Sequence, residues 1–193
     1  MSAAYRRVAA ELGHAIAHER WGLVFGGGAT GLMGEVAHAA LVSGAHVTGV
    51  IPHRLARPGV AFRDATELIC TDTMRERKRI MDERSDAFVV LPGGIGTLEE
   101  LVEIITLKQL GYHDRAIVML DGSGHWEPLR GLLRRMIAEG LAHPSLTDLW
   151  QVTASVKDTI QALRAYRPPE SPPHGPVPLD ALKLETIEPP PDE

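Results

Sequence analysis

The sequence is poor in cysteine and lysine. A single cysteine, Cys70, excludes an internal disulfide, and a lone thiol is more often a packed side chain than a nucleophile. The chain has four lysines, and none lies in a context that indicates a Schiff base. No apolar stretch approaches the ~20 residues that span a membrane, and the N-terminus shows no leader pattern. We therefore expect a cytoplasmic protein that does not bind membranes.

Positive charge is also in short supply. The 20 lysines and arginines are outnumbered by 25 acidic residues, for a formal net charge of −5. Proteins that bind nucleic acid usually present a strongly basic surface, so no nucleic-acid partner is expected. One small anionic ligand held by a local basic group is compatible with this charge. At 193 residues and 44% hydrophobic content, the chain is long enough to bury a real core.

Strand-length apolar runs alternate with helical periodicities, which is typical of βαβ units and a parallel sheet. The apolar runs predict strands at residues 23–25, 47–51, 87–91 and 117–120. Residues 52–72 are less regular, because Pro58 and Gly59 interrupt any long element. We predict an α/β fold over residues 1–166, built on a parallel sheet.

The two ends of the chain depart from this pattern. Prolines recur from Arg167 onward, so residues 167–193 are predicted to be a Pro-rich C-terminal tail without regular structure. The chain opens on a helical pattern, whereas doubly wound nucleotide-binding folds usually begin with a strand. The sheet is therefore expected to lack its first strand. A truncated start and a swapped segment would both account for this.

Two glycine-rich turns, at residues 26–28 and 92–97, each separate an apolar run from a helical pattern. Such a turn leaves backbone N–H groups uncovered at a helix N-terminus, where the peptide dipoles favour an anion. Glycine also simply permits a tight connection, so one turn alone is a weak signal. A basic cluster at residues 75–79 precedes the second turn and favours a phosphate-bearing ligand. Neither turn is followed by G-K-[ST], which disfavours P-loop proteins.

A helix is predicted to begin at Met74, because Thr73 and Glu76 form a capping box. Arg77 and Lys78 fall on the face of this helix that should point inward. A charge there is costly unless it meets an opposite charge. Two alternatives remain open. The cations can extend to solvent or pair with acids of a neighbouring helix, or they can form the floor of a pocket that binds an anion.

A second T-x-x-E pair, Thr97 and Glu100, has two interpretations. As a capping box, it would make Glu100 a helix cap, and Glu100→Gln would be silent because glutamine also caps. As a catalytic group, Glu100 would be essential while the fold stayed intact after substitution. His14 and His18 share a helix face at a spacing that some zinc sites use, but no third ligand accompanies them. We predict no metal site.

Three segments resemble one known family. They are GGGATGLMG at residues 26–34, DTMRERK at 72–78 and PGGIGTLEE at 92–100. The last contains the P-G-G-x-G-T-x-x-E signature of the LOG proteins, the cytokinin riboside 5′-monophosphate phosphoribohydrolases. The likeness extends from about Tyr5 to Tyr166. The family's older label, "possible lysine decarboxylase", has no support in these residues.

The resemblance implies a Rossmann-like fold over residues 1–166, a doubly wound parallel sheet with helices on both faces that forms a nucleotide-binding catalytic domain. It also implies hydrolysis of the N-glycosidic bond of a nucleoside 5′-monophosphate, without a cofactor. It places the catalytic pair on Arg77 and Glu100, and it implies a homodimer. The substrate contacts that it implies are Arg77, Lys78, Gly94, Ile95, Gly96, Thr97, Leu98, Glu99, Glu100 and Thr106. Two departures are visible. The family's opening strand is missing before Tyr5, and residues 57–64 lack the I-T-G-E-type stretch of plant members, which leaves the preferred base open.

A non-catalytic carrier of nucleotide or molybdenum cofactor on the same scaffold is the alternative function, and a regulatory nucleotide sensor is a third. Retention of both Arg77 and Glu100 favours the enzyme, because a carrier does not need that pair. A carboxylate can stabilise the positive charge that builds on the sugar as a ribosidic bond breaks, and it can orient the attacking water.

Overall fold

The computed structural model describes residues 2–169, and the predicted tail from residue 170 onward lies outside this range. Within it, helices and strands alternate after an initial helix. The helices are α1 (Ala3–His18), α2 (Gly31–Val42), α3 (Met74–Glu83), α4 (Ile95–Gln109), α5 (Glu127–Ala138) and α6 (Val156–Ala165), with a 3-10 helix at Pro144–Leu149. The strands are β1 (Leu23–Phe25), β2 (Val47–Pro52), β3 (Glu67–Thr71), β4 (Ala87–Val90), β5 (Ala116–Leu120) and β6 (Gln151–Thr153).

The strands form two parallel three-stranded sheets, in the orders β1-β2-β3 and β4-β5-β6. Leu23 lies opposite Val47 in the first sheet, and Ala87 lies opposite Ala116 in the second. In the described residues no ladder joins β1 to β4. The predicted α/β architecture is confirmed, and the described part of the chain indeed begins with a helix.

Two hydrophobic clusters hold the helices against the sheets. One contains Leu12 of α1, Ala37 of α2, Phe25 of β1 and Leu120 of β5, with Val89 of β4 packed against it, so this cluster spans both sheets. The other packs α4, α5 and the 3-10 helix against β4 and β5. Helices therefore cover both faces of the second sheet, as the doubly wound prediction requires. None of the helices within residues 2–169 is both long and apolar enough to cross a bilayer.

The sequence pattern does not predict β3 and β6. Residues 52–72 are irregular in pattern, yet Glu67–Thr71 pairs with residues 48–52 of β2, with Gly49 opposite Leu68. β6 has three residues and pairs with the end of β5. Both are sheet-edge strands that carry polar residues, and pairing with a buried neighbour, more than local sequence, determines such strands.

Candidate active site

The carboxyl ends of parallel strands meet at one edge of a sheet, and this is where α/β proteins usually bind ligands. The turn at residues 26–28 follows β1, and the turn at residues 92–94 follows β4. Helix α3 contacts β2 and β3, and its residue Arg77 reaches α4. The candidate site lies where these elements meet.

The capping box predicted at the start of α3 is confirmed. The Thr73 side chain accepts a hydrogen bond from the Glu76 N–H at 3.1 Å, and the helix begins at Met74. The Glu76 carboxylate in turn accepts from the Asp72 N–H at 3.0 Å. These two hydrogen bonds fix the first turn of α3, so the local sequence sets the direction in which the Arg77 side chain leaves the helix.

The Arg77 guanidinium is buried and held by three parts of the molecule. Its Nε donates to the Val50 carbonyl of β2 at 3.1 Å, and its Nη1 donates to Glu100 Oε1 of α4 at 2.6 Å. Nη2 lies against Gly26, where an added Cβ would come within 1.8 Å of it. The absence of a side chain at Gly26 therefore makes room for the guanidinium. This is a different use of the first turn from the anion contact that the sequence suggested.

Glu100 is not a helix cap, and the second capping box was a wrong interpretation. Helix α4 begins at Ile95 with Gly94 as its N-cap, so Thr97 lies inside the first turn. An added Cβ on Gly93 would lie 2.2 Å from Thr97 Oγ1, so the Thr97 side chain occupies the space beside that glycine. Glu100 therefore lies in the second turn, where its carboxylate is free to pair with Arg77.

The N-terminus of α4 is open to a ligand. The first N–H groups of a helix have no intrahelical acceptor, and here they follow Gly94. Gly94, Ile95 and Gly96 are exposed, and a Cβ on either glycine would meet no atom within 4 Å. An anion can therefore approach this backbone directly, and the helix dipole favours its charge.

Lys78, the neighbour of Arg77, is paired with two carboxylates of α4. Its Nζ lies 2.5 Å from Glu99 Oε1 and 2.9 Å from Glu103 Oε2. Hydrogen bonds with Glu99 and then Glu103 raise the pKa of Lys78. Of the two alternatives for these cations, pairing with acids of a neighbouring helix is the one observed, for Arg77 and for Lys78 alike.

The other predicted contact residues are dispersed along α4. Leu98 packs into the second hydrophobic cluster. Thr106 is exposed, and its hydroxyl donates to the Val102 carbonyl at 2.8 Å. Six residues at 100° each place Thr106 about 120° around the helix from Glu100. The fold thus brings Arg77, Lys78, Glu99 and Glu100 together beside the α4 N-terminus, and it does not bring Thr106 to them.

A histidine that the sequence pattern does not single out lies beside the second turn. His125 Nε2 lies 2.9 Å from the Gly93 carbonyl oxygen, across 32 positions of sequence. One sequence feature could have pointed to this loop: Asp121 directly follows β5 and precedes a short glycine turn into α5. An aspartate in such a place often fixes a loop by accepting hydrogen bonds from the loop's backbone N–H groups. Asp121 does accept from the N–H groups of His125 and Trp126.

No group of three metal-ligating side chains occurs within residues 2–169. His14 instead lies 2.7 Å from the Ser43 hydroxyl through Nδ1, and His18 pairs with Glu19. Both histidines are exposed.

Comparison with known proteins identifies the family. A family model described as "Possible lysine decarboxylase" matches residues 33–163. The cytokinin riboside 5′-monophosphate phosphoribohydrolase of Mycobacterium tuberculosis is 49% identical over 155 residues, covering 80% of this chain and 83% of the relative. The Arabidopsis thaliana enzyme of the same name, LOG5, is 37% identical over 164 residues, covering 85% of this chain and 72% of that protein.

Solved structures share the fold at lower identity. The molybdenum cofactor binding protein of Rippkaea orientalis has a TM-score of 0.65 at 19% identity, over 86% of this chain and 89% of that one. The molybdenum cofactor carrier protein of Chlamydomonas reinhardtii has a TM-score of 0.65 at 24% identity, over 85% and 88%. These likenesses show the Rossmann-like fold alone. The family model and the relatives' identities go further, and the chain belongs to the LOG family of cytokinin riboside 5′-monophosphate phosphoribohydrolases.

Proposed function

We propose that this protein hydrolyses the N-glycosidic bond of a nucleoside 5′-monophosphate, of adenine or cytokinin type, to give the free base and ribose 5-phosphate. The observation that carries the proposal is the 2.6 Å ion pair between Arg77 and Glu100, which lies beside the open N-terminus of α4. The relatives named above are phosphoribohydrolases, which agrees with this reaction.

The spacing along α4 suits a phosphorylated ribose. Ile95 and Glu100 are five residues apart, which is roughly 7.5 Å along the axis at 1.5 Å per residue. A 5′-phosphate bound by the first N–H groups of α4 would extend its ribose along the helix toward the Glu100 carboxylate. Binding the phosphate would thus fix the sugar relative to the acid, which lowers the entropic cost of reaching the transition state.

Glu100 and Arg77 divide the chemical work. As the C1′–N bond breaks, its electron pair leaves on the base and positive charge builds on the ribose ring. The Glu100 carboxylate stabilises that charge and orients a water, whose oxygen forms the new bond to C1′ while a proton passes to the base. Arg77 holds Oε1 of Glu100, so the second carboxylate oxygen remains available to the substrate. Of the predicted contact residues, Gly94, Ile95, Gly96 and Thr97 would bind the phosphate through their backbone.

Turnover is the experiment that tests this function. The protein is incubated with AMP and with isopentenyladenosine 5′-monophosphate, and the released base is quantified by chromatography. We expect base and ribose 5-phosphate in equal amounts, with much slower release from the corresponding nucleosides. Nucleotide binding without release of base from either substrate would contradict the proposal and favour the carrier alternative.

We also propose that the protein is a homodimer joined along α4. Ile95, Val102 and Leu110 lie on one side of this helix and are 82%, 46% and 65% exposed, with Tyr112 just beyond them at 76%. Such a stripe supports a protein interface, because an isolated helix in water rarely leaves its apolar face uncovered. Thr106 lies in the same stripe, so a dimer would place it at the interface. Light scattering after gel filtration tests this, and Val102→Glu should give a monomer.

The cytoplasmic location and the absence of a cofactor stay predictions from sequence.

A further inference from the structure

The second glycine turn is fixed from outside its own helix, by the loop that joins β5 to α5. We propose that His125 of this loop is a positioning residue for the reaction: its imidazole holds the Gly93 carbonyl and so directs the backbone N–H groups of the turn toward the substrate phosphate. This inference rests on the proposed function and assigns a role to a residue outside the Arg77–Glu100 pair.

The contact is made at the peptide that precedes the start of α4. His125 Nε2 lies 2.9 Å from the Gly93 carbonyl oxygen, whereas the Gly93 N–H is directed at the same Nε2 from 3.4 Å. A carbonyl oxygen can only accept, so the shorter contact assigns a proton to Nε2, which donates it to the carbonyl. In a planar trans peptide the C=O and the following N–H point in opposite directions. Holding the Gly93 carbonyl toward His125 therefore turns the Gly94 N–H away from the histidine, on the side of the turn where the helix N-terminus is open.

The turn needs such a restraint because of its composition. Gly93 and Gly94 lack side chains, and glycine has more backbone freedom to lose than any other residue. The three atoms nearest to a Cβ built on Gly93 all belong to Thr97, which does not hydrogen-bond the Gly93 carbonyl. A hydrogen bond to the carbonyl removes that freedom before substrate arrives, so less ordering remains for the bound phosphate to impose.

The histidine is itself held firmly. The Asp121 carboxylate accepts from the His125 N–H at 2.7 Å and from the Trp126 N–H at 2.9 Å. The imidazole meets the Trp126 ring edge-to-face at 4.8 Å and the Tyr5 ring at 6.4 Å between centroids. Trp126 is buried, so this arrangement is anchored in the core. The Tyr5 hydroxyl lies 3.1 Å from Ser123 Oγ and ties the start of α1 to the same loop.

This role predicts that loss of the His125 side chain affects only the binding of the substrate's phosphate group. His125 forms no hydrogen bond, ion pair or ring contact with Arg77 or Glu100 in the described residues, so its loss should leave the chemical step intact. Removing one hydrogen bond that organises a binding site should weaken phosphate binding by about tenfold. A substrate without the phosphate should not sense the change.

Two variants separate the hydrogen bond from the ring. His125→Phe keeps an aromatic ring against Trp126 and Tyr5 but has no donor. His125→Gln loses the ring but carries an amide nitrogen at the position of Nε2. We expect His125→Phe to raise KM for AMP about tenfold with kcat within about twofold of wild type, and to weaken ribose 5-phosphate binding by the same factor in calorimetry. His125→Gln should restore both quantities to within about threefold of wild type, and kcat/KM for adenosine should be unchanged in both variants.

Three results would overturn the inference: an unchanged KM in His125→Phe, an equal loss for AMP and adenosine, or an equal impairment in His125→Gln. Should His125→Phe fail to fold, His125→Asn replaces it, because its amide is too short to reach the Gly93 carbonyl. Failure of the proposed function is recognised separately. In that case wild type releases no base, and the calorimetric comparison with ribose 5-phosphate still decides whether His125 organises the anion site.

Discussion

Two ion-paired cations join helices α3 and α4, and the two cations are consecutive residues of α3. They differ in burial and in the number of carboxylates that each one meets. Arg77 and Lys78 are consecutive in α3, and each meets a glutamate of α4. The Arg77 side chain is 10% exposed and its partner Glu100 36%. Lys78 is 18% exposed, but its partners Glu99 and Glu103 are 53% and 40% exposed.

The geometry around each cation explains which pair suits catalysis. The Arg77 guanidinium is planar and binds the Val50 carbonyl as well as Glu100, so its position is fixed relative to β2. Lys78 is a point charge that faces two carboxylates, and the three groups together carry a net charge of −1. Such a cluster does not attract a phosphate, and exposed pairs contribute little to stability. Neighbouring cations in a motif can therefore have unequal roles: Arg77 is fixed by its hydrogen bond to the Val50 carbonyl, whereas Lys78 is shared between two carboxylates.

The largest expected effect comes from Glu100, the carboxylate that pairs with the buried Arg77. Glu100→Gln keeps the shape and a hydrogen-bonding oxygen but removes the charge that stabilises the transition state. We expect kcat to fall by about 10³-fold, within the range for a lost acid–base group, with little change in unfolding temperature. Steady-state release of base from AMP measures the first and thermal denaturation the second.

Glu103→Gln is the matched control, because Glu103 also lies on α4 and also pairs with an α3 cation. Its activity should stay within about threefold of wild type. An active Glu100→Gln protein, or an equal loss in both variants, would remove the catalytic assignment from position 100.

A smaller effect is expected from the guanidinium. Arg77→Lys keeps the charge but loses the Nε bond to the Val50 carbonyl and leaves that acceptor buried. We expect a loss of about 2 kcal/mol in the free energy of unfolding and about 10²-fold in kcat/KM, because Glu100 is no longer held in place. Urea denaturation and steady-state kinetics give the two values. Arg79→Lys, in the exposed Arg79–Glu83 pair of the same helix, should change neither by more than its error.

Sequence analysis predicted the buried strands well and the sheet edges poorly. β1 and β5 are continuous apolar runs, and their pattern is sufficient to place them. β3 contains Glu67 and Thr71, and β6 consists of Gln151, Val152 and Thr153; these become strands because β2 and β5 offer them a ladder. Tertiary pairing of this kind leaves little local signal.

The candidate site shows the same division. Identical T-x-x-E patterns occur at 73–76 and 97–100, and local sequence favours a capping box at both. The first is a capping box, whereas the second lies inside a helix that begins at Ile95 because Gly93 and Gly94 allow an earlier start. His125 is hard to identify from sequence for a related reason. Its partner Gly93 is 32 positions away, and only the parallel order of β4 and β5 brings the two loops together.

The smallest effect is expected in the exposed cluster, and it concerns pH. Glu99 is the main cause of the raised pKa of Lys78, so Glu99→Gln should lower that pKa toward the ordinary lysine value. A raised pKa in the folded state stabilises the protein where the ammonium is charged, and this contribution disappears as the pH rises through it. The difference in unfolding free energy between wild type and Glu99→Gln should therefore be present at neutral pH, below about 1 kcal/mol, and vanish at alkaline pH.

The Lys78 signal can be followed by NMR, since the chain has four lysines and Lys78→Arg identifies it. Glu83→Gln is the control: it alters the Arg79 pair instead and should leave the Lys78 titration unchanged. If the pKa of Lys78 is the same in Glu99→Gln and wild type, Glu103 alone accounts for the raised pKa.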